Sequence, residues 1–335
     1  MEVNKMKYFD EEKFKALVQD TTFSAGGLLN PAQANRFIDL MTDNQIILKE
    51  CDVKRMVTNS LELERLGMAS RQLRKHSAGV AGTSANITAD KRTLTLVESK
   101  IWFEIDLRTL RRLTIESDNR DIDGALMRHI MEMGAIAYGN DIEDLGVNGD
   151  SEDTGASKDF IAITDGWLKY AKTEGHVYDI TGKTGYIETI FPGMLALMPE
   201  AYRSRQSELR FYTTPAIRDA YIDEIVGTST AGSLAYLTGG AQPTYKEIPV
   251  IGVPVFPENT ILLTNPKNLA FGIDTNGIER DFDKKVVERV IQAVIIAAIG
   301  FQIANEDAIV VGYEVPEETT PPDGGEETTP PDGGE

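Results

Sequence analysis

The chain has 335 residues, 41% of them hydrophobic and 26% charged, and a formal net charge of −19 at pH 7, proportions that give a globular protein room for a real core. Such an acidic surface repels phosphate backbones, which excludes sequence-reading DNA binding, and no apolar run approaches the ~18 residues a bilayer helix needs. One cysteine, Cys51, permits no internal disulfide, and three histidines (His76, His129, His176) match no zinc spacing.

Residues 1–20 read as a short amphipathic helix with Phe14, Leu17 and Val18 on one face. They lack the apolar core of a secretory signal, so cytoplasmic synthesis is expected. In "GGLLNPAQANRFIDLMTDN", residues 26–44, Asn30 is an N-cap and Pro31 opens a helix with Phe37, Ile38, Leu40 and Met41 on its apolar face.

Residues 53–115 predict two strands joined by a long polar excursion, "SRQLRKHSAGVAGTSANITADKRT". Residues 62–112 hold ten basic and six acidic side chains, so this excursion is basic in an acidic chain. A loop of such length is functional or disordered. Its charge fits an acidic surface, including that of a second copy.

The clearest helix follows. Ile122, Leu126, Ile130, Met133 and Ala137 recur at steps of 4, 4, 3 and 4. Asp121 and Asp123 sit at the favourable end of its dipole, and the helix is expected to stop near Gly146. His129 reads as a packing residue. A short helix is expected around Trp167–Ala171, a helical pair around Pro192 and after Pro215, then short strands in "IPVIGVPVF" and "TILLTNP", with Pro249 and Pro254 at edges. From Ile291 to Ile303 every odd position is apolar, which predicts a long strand; a buried helix over 286–299 is the competing reading. A second strand is expected over Ala308–Tyr313. The tail repeats "EETTPPDGG" in tandem, and residues 314–335 carry eight acids and no base, a composition that builds no core.

The stretch "GNDIEDLGVNGD", residues 139–150, raises a metal site. Against an EF-hand loop starting at Asp141, Gly146 and Glu152 match, but Leu145 stands where a ligand is required. A helix end with a glycine stop explains the stretch better. No G-x-S-x-G, P-loop, G-x-G-x-x-G or H-E-x-x-H occurs. Cys51 lacks any nucleophile signature and reads as a buried thiol. No catalytic residue, cofactor or metal is expected.

The segments "GGLLNPAQANRFIDLM", "GNDIEDLGVNGD", "DGWLKYAK", "IPVIGVPV…ILLTNPKNLAFGI…IERDF" and "VIQAVIIAAIGFQIANEDAIVVG" together resemble, in order, the major capsid proteins of tailed bacteriophages, with the Hong Kong 97 fold. The resemblance covers about residues 26–313. It implies an α+β protein with an N-terminal arm (1–52), an extended β-hairpin loop with flanking strands (53–118), a peripheral domain with a spine helix (119–184), an axial domain (185–275), return strands (276–313) and a disordered acidic tail (314–335). It implies a shell protein that self-assembles through pentamers and hexamers around double-stranded DNA, without sequence-specific contacts, and with no membrane partner. Arg71, Arg74, Lys75, Lys91 and Arg92 become loop contacts to a neighbour, and Ile122, Leu126, Ile130, Met133 and Ala137 the packing stripe of the spine helix. About 25 residues precede the arm, so a separate scaffolding protein is expected, with a portal. An encapsulin-type compartment shell shares the fold. The reading of a different class is an acidic metal-dependent enzyme using the carboxylates at 141–152.

Overall fold

Pro31 fixes a helical φ and lacks the N–H that a helix start leaves unbonded. The helix it opens, α1 (Pro31–Asp43), buries Phe37, Ile38 and Met41 as expected and Ala34 beside them, while Leu40, expected on the same face, is half-buried. The computed structural model of the chain describes residues 27–28, 31–68, 87–106, 122–228, 242–285 and 288–315. The expected helix over 1–20, the tip of the excursion and the repeat tail lie outside them. In chain order the other elements begin with β1 (Gly27–Leu28), β2 (Asp52–Met56), β3 (Ser60–Met68), β4 (Ile87–Thr95), β5 (Val97–Asp106), α2 (Ile122–Asn148), α3 (Lys158–Ile161), α4 (Trp167–Thr173) and β6 (His176–Asp179). A π-helical turn (Tyr186–Ile190) then runs into α5 (Phe191–Leu197), followed by α6 (Glu200–Arg203), β7 (Arg210–Thr213) and α7 (Pro215–Thr228). The last strands are β8 (Thr244–Tyr245), β9 (Ile248–Gly252), β10 (Ile261–Thr264), β11 (Leu269–Asp274), β12 (Glu279–Lys285), β13 (Val290–Ile303) and β14 (Ile309–Tyr313).

β13 is the long strand that the alternation predicts, and the helical alternative over 286–299 is not adopted. It pairs antiparallel with β5 from Val290↔Asp106 to Ile299↔Val97, with β12 from Ile296↔Glu279, and with β11 from Ile299↔Ile273. β1 and β2 complete this first sheet in the order β1-β12-β13-β11-β2, with β5 also on β13. Successive side chains alternate faces, so Ala293, Ile295, Ala297, Ile299, Phe301 and Ile303 are all buried on one side. α2 lies across that inner face. Gly134 meets Phe103 and Ile295, the Tyr138 hydroxyl lies 2.7 Å from Ser99 Oγ, and Gly146 abuts Phe301 and Trp167. Trp167 donates from Nε1 to the Ala270 carbonyl at 3.1 Å and meets Phe301 edge-on.

The second sheet runs β6-β14-β10-β7-β9-β8. Its central strands are buried on both faces, which is why "ILLT" and "IVV" read as unbroken apolar runs rather than alternations. Leu262, Val311 and Tyr212 face the main core with α1, α2 and α4. Ile261, Leu263, Val310 and Phe211 face a second core around Phe191, Met194 and Tyr221. The expected edge strand around Pro249 is second from the edge, because β8 pairs outside it through Thr244↔Pro249 and Tyr245↔Ile248. That outer pairing is only two residues long, so the missing proline N–H costs little. The sheets also divide the chain differently from the expected segments. β11, expected in 185–275, pairs with β13 and β2, whereas β14, expected with the return strands, joins the second sheet beside β6 and β10.

The expected stripe on α2 requires a correction. Met133 is 52% exposed and Ala137 is exposed. The buried apolar stripe runs instead through Ala135, Tyr138, Ile142 and Leu145, at steps of 3, 4 and 3 on another face. Close approach decided this: a Cβ at Gly139 would stand 2.8 Å from the Met41 carbonyl, so α1 packs on the glycine side. The side chains of Ile122, Leu126, Ile130 and His129 lie outside the described residues.

Candidate assembly surface

The excursion contains a two-stranded ribbon, β3 against β4, in register from Ser60↔Thr95 to Met68↔Ile87. Nine residues per strand at about 3.3 Å each give a ribbon of about 30 Å. Its base crosses the outer face of the first sheet. Two glycines in register, Gly272 and Gly300, make the crossing possible. A Cβ on Gly300 would lie 2.1 Å from the Thr95 carbonyl oxygen, and one on Gly272 2.8 Å from a Leu94 methyl. Leu94, Leu96 and Met56 are buried there against Leu61, Leu63 and Ala298.

Of the expected loop contacts, the structure describes two. Arg92 turns onto its own subunit: its guanidinium bridges Glu174, after α4, and Glu306, before β14. It also lies 3.5 Å from Gln302 Oε1, while Gln302 Nε2 donates to the Thr93 carbonyl at 3.2 Å. Its side chain is only 14% exposed, so it ties the ribbon to the body. Lys91 is exposed and binds Glu62 at 2.6 Å and Glu64 at 3.4 Å across the ribbon; those carboxylates hold its ammonium above its ordinary pKa. Arg71, Arg74 and Lys75 lie outside the described residues.

The acidic stretch at 139–150 does not converge on one point. Glu143 is buried, and its Oε1 accepts the Ile47 N–H at 2.5 Å. Burial raises its pKa, opposed by the backbone N–H groups of Ile47, Ile46 and Leu48. Asp144 accepts from Asn148 at 2.6 Å. Asp150 and Asp165 hold Lys169 at 2.6 and 2.9 Å, with Glu152 at 3.5 Å, so an ammonium already sits among these carboxylates. Among the described residues no group of three or more His, Cys, Asp or Glu side chains is placed to hold a metal ion. The helix runs on to Asn148, and Gly149 turns the chain so closely that a Cβ would lie 2.3 Å from the Thr164 carbonyl. The stretch is thus a helix end, with one of its acids turned inward to cap the turn after α1. Sequence patterns gave no sign of that inward turn or of Arg92's internal partners, since both depend on segments far apart in the chain. Cys51 is buried, as expected. Among the described residues no helix is long and apolar enough to cross a membrane.

No family model matches the chain. It is 29% identical over 316 residues to the "Putative prophage capsid protein YqbE" of Bacillus subtilis (strain 168), covering 90% of this chain and 97% of that protein. Among solved structures it is similar to the satellite phage P4 procapsid that includes the size determination (Sid) protein, with a TM-score of 0.64 at 14% identity over 92% of this chain and 98% of that one. Gordonia phage Cozz gives a TM-score of 0.52 at 12% identity, over 82% and 87%. The structural likenesses carry the fold, and the collinear relative carries the role. The chain is a tailed-phage major capsid protein with the Hong Kong 97-like fold, a structural component whose place is the virion shell.

Proposed function

We propose that this chain assembles through pentamers and hexamers into an icosahedral head around double-stranded DNA. The observation that carries the reading is the ribbon of β3 and β4, about 30 Å long, anchored by Arg92 at its base and with the charged side chains of Glu62, Glu64 and Lys91 exposed along it. Such an element buries its surface only on a neighbour, and a shell requires large, repeated, symmetric contacts. In this reading residues 1–52 are the arm, Arg71, Arg74 and Lys75 carry the ribbon's basic charge to the neighbour, and the second sheet with α5 and α7 forms the part that meets at the shell's symmetry axes. The exposed side of α2 at Met133 and Ala137 becomes an intersubunit surface. The acidic body keeps packaged DNA from adhering to the wall. A separate scaffolding protein and a portal are the expected partners, and the repeat tail lies outside the shell.

The test is negative-stain electron microscopy of the full chain, alone and with a co-expressed scaffold. Closed shells, tubes or rings of five or six subunits are expected. A uniform monomer under every condition, unchanged by scaffold, would overturn the reading.

A further inference from the structure

At one end of the second sheet β10 finishes while β7 and β14 begin, with Thr264 paired to both Arg210 and Ile309. The turns there enclose an open cavity of about 420 Å³, a size that holds a small ligand or a short peptide. Three asparagines from turns far apart in the chain build its floor. Asn268 accepts the Asn305 N–H at 2.8 Å and donates to the Asn305 carbonyl at 2.9 Å. Asn305 Nδ2 donates to the Tyr202 hydroxyl at 2.6 Å, and Asn265 Nδ2 to Glu208 at 3.3 Å. Arg205 and Lys267 line the cavity, and Glu208 is the one carboxylate among its described lining residues. The cations are poorly neutralised. The Lys267 ammonium donates to the neutral Cys51 carbonyl at 2.8 Å and has no carboxylate partner among the described residues. Arg205, 73% exposed, stands 3.9 Å from Glu208, a loose ion pair. Arg203, the last residue of α6, pairs with no described carboxylate. A chain of net charge −19 thus keeps three under-paired cations around one preformed hollow.

We propose that this cavity is the docking site of the acidic tail of the same chain, occupied by residues 326–331 of the second repeat. Glu326 and Glu327 meet Arg205 and Lys267, and Pro330 and Pro331 lie against Tyr202. Charge selects the stretch. Among the stretches outside the described residues, 316–335 holds seven acids and no base. Residues 1–26 hold five acids and four bases, 69–86 three bases and no acid, 107–121 four bases and three acids, and 229–241 no charge. The proline pair also suits an aromatic-lined hollow, because its fixed φ leaves an extended segment little entropy to lose on docking.

Distance selects the repeat. Ala308 lines the cavity, and β14 leads away from it. Val315, where the described chain ends, lies seven residues on, about 23 Å at about 3.3 Å per residue. Glu317 and Glu318 follow Val315 by two and three residues and reach back at most about 11 Å. Glu326 and Glu327 follow it by eleven and twelve residues and reach about 36 Å or more. The first repeat is therefore the spacer and the second the ligand. The tether holds that ligand at roughly millimolar effective concentration, so contacts too weak to capture a free peptide suffice.

The experiment uses the full-length chain with the photoreactive residue p-benzoylphenylalanine at Ala201, an exposed position on the cavity wall. Chains labelled with light and heavy nitrogen are mixed and irradiated. Crosslinks from position 201 to residues 326–331 of the same isotope are expected. Crosslinks confined to residues 316–322, to the other isotope or to another stretch, or none to the tail, would overturn the proposal. A charge test runs beside it. Arg203→Glu with Arg205→Glu should cut the crosslink about tenfold or more through like-charge contact at an unchanged melting temperature, and adding Glu326→Lys with Glu327→Lys should restore it. Lys267 is left in place because its bond to the Cys51 carbonyl holds the turn after α1. An unchanged crosslink in the reversed cavity, or no restoration, refutes the pairing. The readout is taken within one chain, so it stands or falls separately from shell formation.

Discussion

Replacing Arg92 by alanine should loosen the ribbon without unfolding the body. The guanidinium is 14% exposed, but its partners Glu174 and Glu306 are 40% and 45% exposed, so solvent screens both bonds. Exposed ion pairs are worth about 0.2–1 kcal/mol and well-shielded charge-assisted hydrogen bonds about 1.5–3 kcal/mol. Two half-screened bonds from one largely buried donor place the loss at about 2 kcal/mol, a factor of about 30 in the population of the detached ribbon. The loss is local because the two body segments that Arg92 bridges are held to each other independently by the pairing of β6 with β14. Native-state hydrogen exchange reads it directly. Amides of β3 and β4 should exchange about 30-fold faster, while those of β13 opposite β5 keep their rates. Arg92→Lys should recover only part, since a single ammonium does not span two carboxylates as a planar fork does. A change below about threefold in the ribbon, or a uniform acceleration through β13, would refute the assignment of Arg92 as the ribbon's anchor.

Two further outcomes follow from buried groups. Glu143→Ala leaves the N–H groups of Ile46, Ile47 and Leu48 without their acceptor and should cost about 1–3 kcal/mol in denaturant unfolding. Because burial raises the Glu143 carboxyl above its ordinary 4.5, the folded state holds that proton to higher pH than the unfolded chain. Its contribution is fully present below 4.5 and is lost as pH rises through the folded value, so wild-type stability relative to Glu143→Gln should fall over that interval; a flat or rising difference contradicts it. The Cys51 thiol, pushed up to about 12 by burial and donating to the Leu48 carbonyl at 3.2 Å, should resist iodoacetamide at pH 8 and react only as fast as the chain opens. Rapid labelling of the folded chain would show that the turn after α1 is open.

Much of this architecture is local and was therefore legible. The odd-position alternation of Ile291–Ile303 is a strand's signature because neighbouring side chains must take opposite faces, and β13 keeps that register against three partners. Asn-Pro before an apolar stripe marked α1, and a basic, turn-rich excursion between apolar runs marked the ribbon. The resemblance to phage capsid proteins rests on the order of such pieces, and the fold agrees with it. Other features are settled only by packing. The stripe Ile122–Ala137 marks apolar residues at helical spacing, but not which face of α2 is covered. Gly139 and Gly146 let α1, Phe301 and Trp167 approach another face and leave Met133 outward. Glu143 reads as one more solvated acid until the turn at 46–48 supplies three N–H groups, and Arg92 reads as a free surface cation until Glu174 and Glu306 arrive from over eighty residues away. Sequence periodicity fixed the elements because it expresses backbone geometry one turn at a time. Which faces touch, and which are left for a neighbouring copy, depended on close approaches between distant segments that no local pattern encodes.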